Sequence, residues 1–107
     1  MIHDIKDQAT QAQTAMGLSM SMLIFLKDWQ RLSHSGRYDM VRLKAAMILL
    51  ISNDAPLGAD WLDHALKGEW SDHRECHIGG DFLLIYQVHG NAINFVRSGT
   101  RSELFSS

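Results

Sequence analysis

A single cysteine, Cys76, stands in the 107 residues, which excludes an internal disulfide. The N-terminus, MIHDIKDQATQAQ, carries acidic and polar residues where a secretory signal needs an apolar stretch, so a cytoplasmic location is expected. The longest apolar run, Ala45 to Ile51 (AAMILLI), falls far short of the roughly 20 residues of a spanning helix, and no membrane association is expected. Charge of one sign is lacking as well: the formal net charge is −2, which excludes the broad electrostatic grip on nucleic acid of a strongly basic domain. No glycine-rich phosphate loop of the nucleotide-binding kinds occurs.

What the chain has is 46% apolar and 21% charged residues, enough for one compact domain with one core. Residues 1–17 are polar and rich in Gln, Thr and Ala; they read as an N-terminal arm, disordered, weakly helical or an extended start, ahead of a domain over residues 18–107. Charge is unevenly spread. Between residues 26 and 50, Lys27, Arg31, Arg37, Arg42 and Lys44 face only Asp28 and Asp39, an excess of three positive charges that suits a phosphate-contacting patch or a solvated helix face.

From Leu18 the pattern becomes regular. Leu18, Met20, Met22 and Ile24 alternate with Ser19, Ser21 and Leu23, the period of a strand with one buried face, and predict a first strand. Leu26, Trp29 and Leu32 have helical spacing and predict a short helix ended by His34-Ser35-Gly36. Asp39 then caps a second helix in which Met40, Leu43, Met47, Leu50 and Ile51 share one face, and Asn53, Asp54, Pro56 and Gly58 stop it. The C-terminal half reads as strands at Arg74–Ile78, Phe82–Val88 and Ala92–Arg97, joined by the turns Gly79-Gly80-Asp81 and His89-Gly90-Asn91. The fold class is α+β: a small antiparallel sheet of about four strands, two N-terminal helices on one face, and the other face open to a groove.

Polar chemistry crowds into RECHIGGDFLLIY, residues 74–86. Alternation puts Arg74, Cys76 and Ile78 on one side of their strand and Glu75 and His77 on the other. Phe82 to Tyr86 is apolar on both faces, as a central strand would be. His73, Cys76, His77 and His89 are zinc-ligand types, but their spacing fits none of the usual structural frameworks, and no metal and no cofactor is expected. Read alone, His64 is a surface histidine beside Asp63, His77 a structural histidine, Asp81 a turn residue, Arg97 a partner for Glu75 or Asp81, and Phe105 an apolar plug. Trp61 and Trp70 read as packing residues.

DHALKGEW (63–70), RECHIGGDFLLIY (74–86) and RSGTRSELF (97–105), in that order, with a looser match back through FLKDWQRL (25–32), resemble the YafQ-like branch of the RelE/ParE toxin superfamily. Members read close to DHxLxGxW, REcHixpDwLLIY and RxGTHSxLF. The resemblance covers roughly the chain from Leu18 onward and implies a RelE-like fold and a type II toxin. Such a toxin is an endoribonuclease that cuts messenger RNA in the ribosomal A site without a metal. It is silenced by a cognate antitoxin, which the resemblance implies to be of ribbon-helix-helix type, through which alone operator DNA would be bound.

Such an enzyme drives the ribose 2′-hydroxyl onto the adjacent phosphate. One group accepts that proton, another protonates the leaving 5′-oxygen, and cations steady the added charge. Histidine suits both proton roles. Position by position, the resemblance implies His77 and Asp81 for proton acceptance; His64, Arg97 and Arg101 for phosphate contact or proton donation; Phe82 and Phe105 for holding a base; and Lys67 and Arg74 for further substrate contact. Two positions depart from the pattern. Phe82 stands where relatives often carry Trp, which keeps an aromatic face. Arg101 replaces the histidine that is the family's candidate general acid; a guanidinium gives up a proton poorly but binds phosphate through two donors. Two other readings stay open: a toxin fold with little nuclease activity acting as antitoxin partner and co-repressor, and a gyrase inhibitor of the ParE kind, against which the trio His64, His77 and Asp81 argues.

Overall fold

The computed structural model describes residues 20–52 and 56–105; the expected arm over residues 1–17 and the expected helix stop at Asn53 and Asp54 lie outside them. Helix α1 is Met20–Ser35 and helix α2 is Met40–Ser52. The first strand expected from Leu18 to Ile24 is therefore not formed, and its described part belongs to α1. The helix wins because Phe25, Asp28 and Leu32 recur at helical spacing and are buried, with Trp29 half-buried among them. Met20, Met22 and Ile24, whose alternation imitates a strand, are exposed.

Gly36, at φ +72°, ends α1, and the Ser35 hydroxyl donates to the Leu32 carbonyl at 3.0 Å. Asp39 caps α2 as expected, its Oδ1 accepting from the Arg42 backbone N–H at 2.9 Å. Leu43, Ala46 and Leu50 are the buried residues of α2. Ile51, expected on the same face, is exposed, because it lies about 100° around the helix from Leu50.

Strands β1 (His64–Ala65), β2 (Arg74–Gly79), β3 (Phe82–His89) and β4 (Ala92–Thr100) form one antiparallel sheet in that spatial order. The fourth strand is thus the two-residue β1 and not an N-terminal segment. A short helix α3, Arg101–Phe105, follows β4. Phe82, Leu84 and Tyr86 of β3, with Cys76 and Ile78 of β2, pack against Phe25, Leu32, Leu43, Ala46 and Leu50 of the two helices. Leu83 and Ile85 point the other way and pack with Leu104, Leu66, Trp70, Val96 and Phe105. The face expected to be open is therefore partly covered, by α3 and by the 3-10 turn Gly68–Trp70.

A buried carboxylate fastens α1 to β4. Asp28 Oδ2 accepts from Arg97 Nε at 2.7 Å and from the Ser98 N–H at 3.0 Å, while Oδ1 accepts from Arg31 Nη1 at 2.8 Å and Arg97 Nη2 at 3.2 Å. Burial opposes ionisation of Asp28, but the hydrogen bonds from Arg97, Arg31 and Ser98 outweigh it and hold the carboxyl below its ordinary value. Gly99 lies under this junction, where a Cβ would come 2.9 Å from Arg31 Nη2 and from Glu103 Oε1. Two of the five cations of the expected patch are committed within the molecule, Arg31 to Asp28, and Arg42 to the Ile78 carbonyl at 2.7 Å with its guanidinium 4.0 Å above the Trp61 ring, while Lys27, Arg37 and Lys44 are exposed. Among the described residues no helix is long and apolar enough to cross a membrane.

Removing a buried carboxylate that holds two arginines strands their charges, so Asp28→Ala lowers stability by roughly 3 to 5 kcal/mol in urea unfolding. Because the folded-state pKa of Asp28 is depressed, its contribution is complete above the unfolded value near 4 and is lost as pH falls below it. The stability gap between wild type and Asp28→Asn is therefore constant above about pH 5 and narrows as pH falls below about 4.

Candidate active site

The two residues of β1 set the register of the site: His64 pairs with Glu75 and Ala65 with Arg74. Paired residues project to the same face, so His64 stands beside Glu75, and His77, two residues along β2, shares that face. Arg101 reaches the same point from the end of β4. Its position is fixed by α3, whose sequence Thr100-Arg101-Ser102-Glu103 is a capping box. The Thr100 N–H donates to Glu103 Oε1 at 2.7 Å, and the Glu103 N–H donates to Thr100 Oγ1 at 3.2 Å. The bond from the Thr100 N–H, more than any other contact, holds the Glu103 carboxyl below its usual range. The Arg101 N–H is in turn donated to the Asp81 carbonyl at 3.0 Å.

His64, His77 and Arg101 meet on one atom. Glu75 Oε2 lies 3.1 Å from His64 Nε2, 3.4 Å from His77 Nε2 and 2.5 Å from Arg101 Nη2. The Glu75 side chain has no exposure at all, whereas those of His64, His77 and Arg101 are 51%, 24% and 49% exposed. The other carboxylate oxygen, Oε1, is buried without a hydrogen-bond partner. His64 Nδ1 is 2.8 Å from the Leu62 carbonyl. A carbonyl can only accept, so Nδ1 carries the hydrogen and Nε2 is the nitrogen turned toward Glu75. Leu62 holds a left-handed backbone, φ +48°, immediately before this segment. The Phe105 ring lies 5.6 Å from the Arg101 guanidinium and edge-on to Trp70 at 5.5 Å.

The other candidates from the sequence fall elsewhere. Arg97 pairs with Asp28, neither with Glu75 nor with Asp81. Arg74 donates through Nε to Asp63 Oδ1 at 2.8 Å, and Asp63 Oδ2 accepts from the Tyr86 hydroxyl and from the Leu57 N–H. Phe82 is buried in the helix-side core with its ring 4.9 Å from that of Tyr38, so it offers no face for a base. These residues are spent on architecture. Asp81 is exposed in the β2–β3 turn, lining a shallow cleft with Arg37, Tyr38 and Asp39. Lys67 is exposed just before the 3-10 turn. Trp70 packs, as expected, and Trp61 lies against the helix-side core. The residue missed in the sequence is Glu75, although alternation had placed it on the face of His77.

A carboxylate joined to two imidazoles and a guanidinium can orient proton carriers and bind a phosphate. The ligand atoms of His64, Glu75 and His77 also lie within 4.8 Å of one another, a set that could hold a metal ion. Of the zinc-ligand types noted in the sequence, only His77 belongs to it; Cys76 faces the core.

Comparison with known proteins bears on this geometry. The sequence profile of the family described as bacterial toxin of type II toxin-antitoxin system, YafQ, matches residues 20–106. The mRNA interferase toxin YafQ of Escherichia coli (strain K12) is 40% identical over 75 residues, covering 70% of this chain and 82% of that protein. Among solved structures, a copper-bound mutant toxin from Helicobacter pylori is 39% identical with a TM-score of 0.69, covering 77% of this chain and 91% of that one. The toxin in the E. coli DinJ–YafQ complex is 38% identical with a TM-score of 0.68, covering 78% and 91%.

Cys76 sits beside the site but on the far side of the sheet. Burial first, then the negative charges of Asp63 and Glu75, push its thiol up to about 12. Iodoacetamide at about pH 8 is expected to leave the native protein unmodified and to alkylate Cys76 only once denaturant is added, as read by mass spectrometry.

Proposed function

The chain belongs to the YafQ family of bacterial type II toxins, and on that premise we propose that it is an mRNA interferase, an endoribonuclease that cuts messenger RNA in the ribosomal A site. The observation that carries the proposal is the convergence of His64, His77 and Arg101 on Glu75 Oε2. Residues 18–107 form the toxin domain in this reading, acting in the cytoplasm. The partner is an antitoxin of ribbon-helix-helix type that links the complex to operator DNA; the E. coli relative is itself known in a toxin-antitoxin complex.

Cleavage runs through attack of the ribose 2′-hydroxyl on the adjacent phosphate. His64 protonates the leaving 5′-oxygen. Its Nδ1–H is engaged by Leu62, so Nε2, at a half-exposed position beside Glu75, is the nitrogen left to carry a proton to the leaving oxygen. His77, at the longer distance from Glu75, takes the proton of the 2′-hydroxyl. Arg101 presents its fork of donors to the phosphate, and Glu75 fixes the three groups relative to one another. Phe105, half-buried beneath Arg101, is the aromatic face left for a base. Every task is filled by a side chain already in place, which supports chemistry without a metal.

The Arg101–Glu75 bond also favours a second reading. The guanidinium occupies the place of the family's motif histidine and cannot serve as a proton donor, which suits a toxin fold that binds its antitoxin and cuts slowly or not at all. Programmed ribosomes incubated with the wild type, His64→Gln, His77→Gln and Arg101→His, with 5′ ends mapped by primer extension, separate the two. The nuclease reading expects cleavage by the wild type in the presence of a chelator, and a loss of roughly 10²- to 10⁴-fold in either histidine variant. Cleavage by Arg101→His alone establishes the slow or silent toxin. Intact messenger with the folded wild type and with folded Arg101→His overturns the assignment as a nuclease.

A further inference from the structure

The group around Glu75 has the build of a cation seat, and one side chain of this protein already sits in it. Ligands of a tetrahedral zinc ion at about 2.0 to 2.1 Å stand about 3.3 Å from one another. His64 Nε2 and His77 Nε2 lie 3.1 and 3.4 Å from Glu75 Oε2, and all three atoms fall within 4.8 Å. His64 gives its remaining N–H to the Leu62 carbonyl, the outer bond that fixes the ring of a metal-binding histidine with its free nitrogen forward. With the ring neutral, that nitrogen and the carboxylate oxygen are two acceptors facing each other, an arrangement that calls for positive charge between them. Glu75 Oε1, buried without a partner, adds a second unmet acceptor at the same place.

Arg101 supplies the positive charge. Its Nη2 is 2.5 Å from Glu75 Oε2, its backbone N–H is tied to the Asp81 carbonyl, and its guanidinium rests near the Phe105 ring. We propose that Arg101 is a built-in cation that keeps divalent metal ions out of a seat formed by His64, Glu75 and His77. Being part of the chain, the guanidinium is present at every metal concentration. An entering ion has to break its bond to Glu75 and then tolerate a positive charge a few ångströms away. The inference stands apart from the nuclease reading, because it is read from binding of the metal alone.

The test is calorimetric titration of zinc chloride into the full chain as wild type, as Arg101→Ala, and as Arg101→Ala combined with His64→Gln. Both side chains are about half exposed, so the substitutions spare the core, and circular dichroism checks that each variant is folded. The expected result is one zinc bound by Arg101→Ala roughly 10- to 100-fold more tightly than by the wild type, with the gain removed by His64→Gln. Equal affinity in wild type and Arg101→Ala overturns the proposal, as does a gain that survives His64→Gln.

Discussion

A carboxylate with no contact to water, Glu75, is the constraint around which the sheet is arranged. A buried charge is tolerated only when it is paired and hydrogen-bonded, and this one draws its partners from three separate segments: β1, β2 and the start of α3. Two other carboxylates are buried in the same way, with a different outcome. Asp28 has both oxygens taken by Arg97, Arg31 and Ser98, and Asp63 has both taken by Arg74, Tyr86 and Leu57. Those two close the molecule, one fixing α1 on β4 and the other fixing the segment before β1 on β2 and β3. Glu75 keeps one oxygen unpartnered and loads the other with three side chains that are partly in water. Full satisfaction marks the structural pairs, and incomplete satisfaction beside solvent marks the site.

Much of this was legible in the sequence, and what was not has identifiable causes. The central strand, its two glycine-bearing turns and the capped helix α2 follow from local rules that act within a few residues. The segment from Met20 to Ile24 misleads because its apolar residues alternate, whereas the decisive residues Phe25, Asp28 and Leu32 take their meaning from partners far along the chain. β1 escapes notice because two residues carry no period; only its register with β2 makes it a strand. The family motifs locate the region of the site but cannot say which cations are free. Arg97 and Arg74 stand in matched blocks and are held by Asp28 and Asp63, and Phe82 faces the helices because alternation along β3 turns it away from His77. The same alternation puts Glu75 and His77 together, so that part of the site was within reach.

The exchange of histidine for arginine at position 101 changes what the site can do with protons. Three imidazoles around one carboxylate would allow proton roles to be shared. With Arg101 in place there are two, and their surroundings differ: His64 is oriented by the Leu62 carbonyl and half exposed, while His77 lies deeper on β2. In the proposed mechanism each therefore has one task and no substitute. In return the site gains a guanidinium held in position by the capping box of α3 and by Phe105. This favours phosphate binding, in the proposed mechanism, at the expense of reserve in proton transfer. The same charge satisfies Glu75 when nothing is bound, so the group that neutralises the buried carboxylate at rest is the one a phosphate would recruit. In the proposed mechanism a phosphate held by the outward donors of Arg101 lies beside the two histidines that share the same carboxylate oxygen, which brings it against the proton carriers.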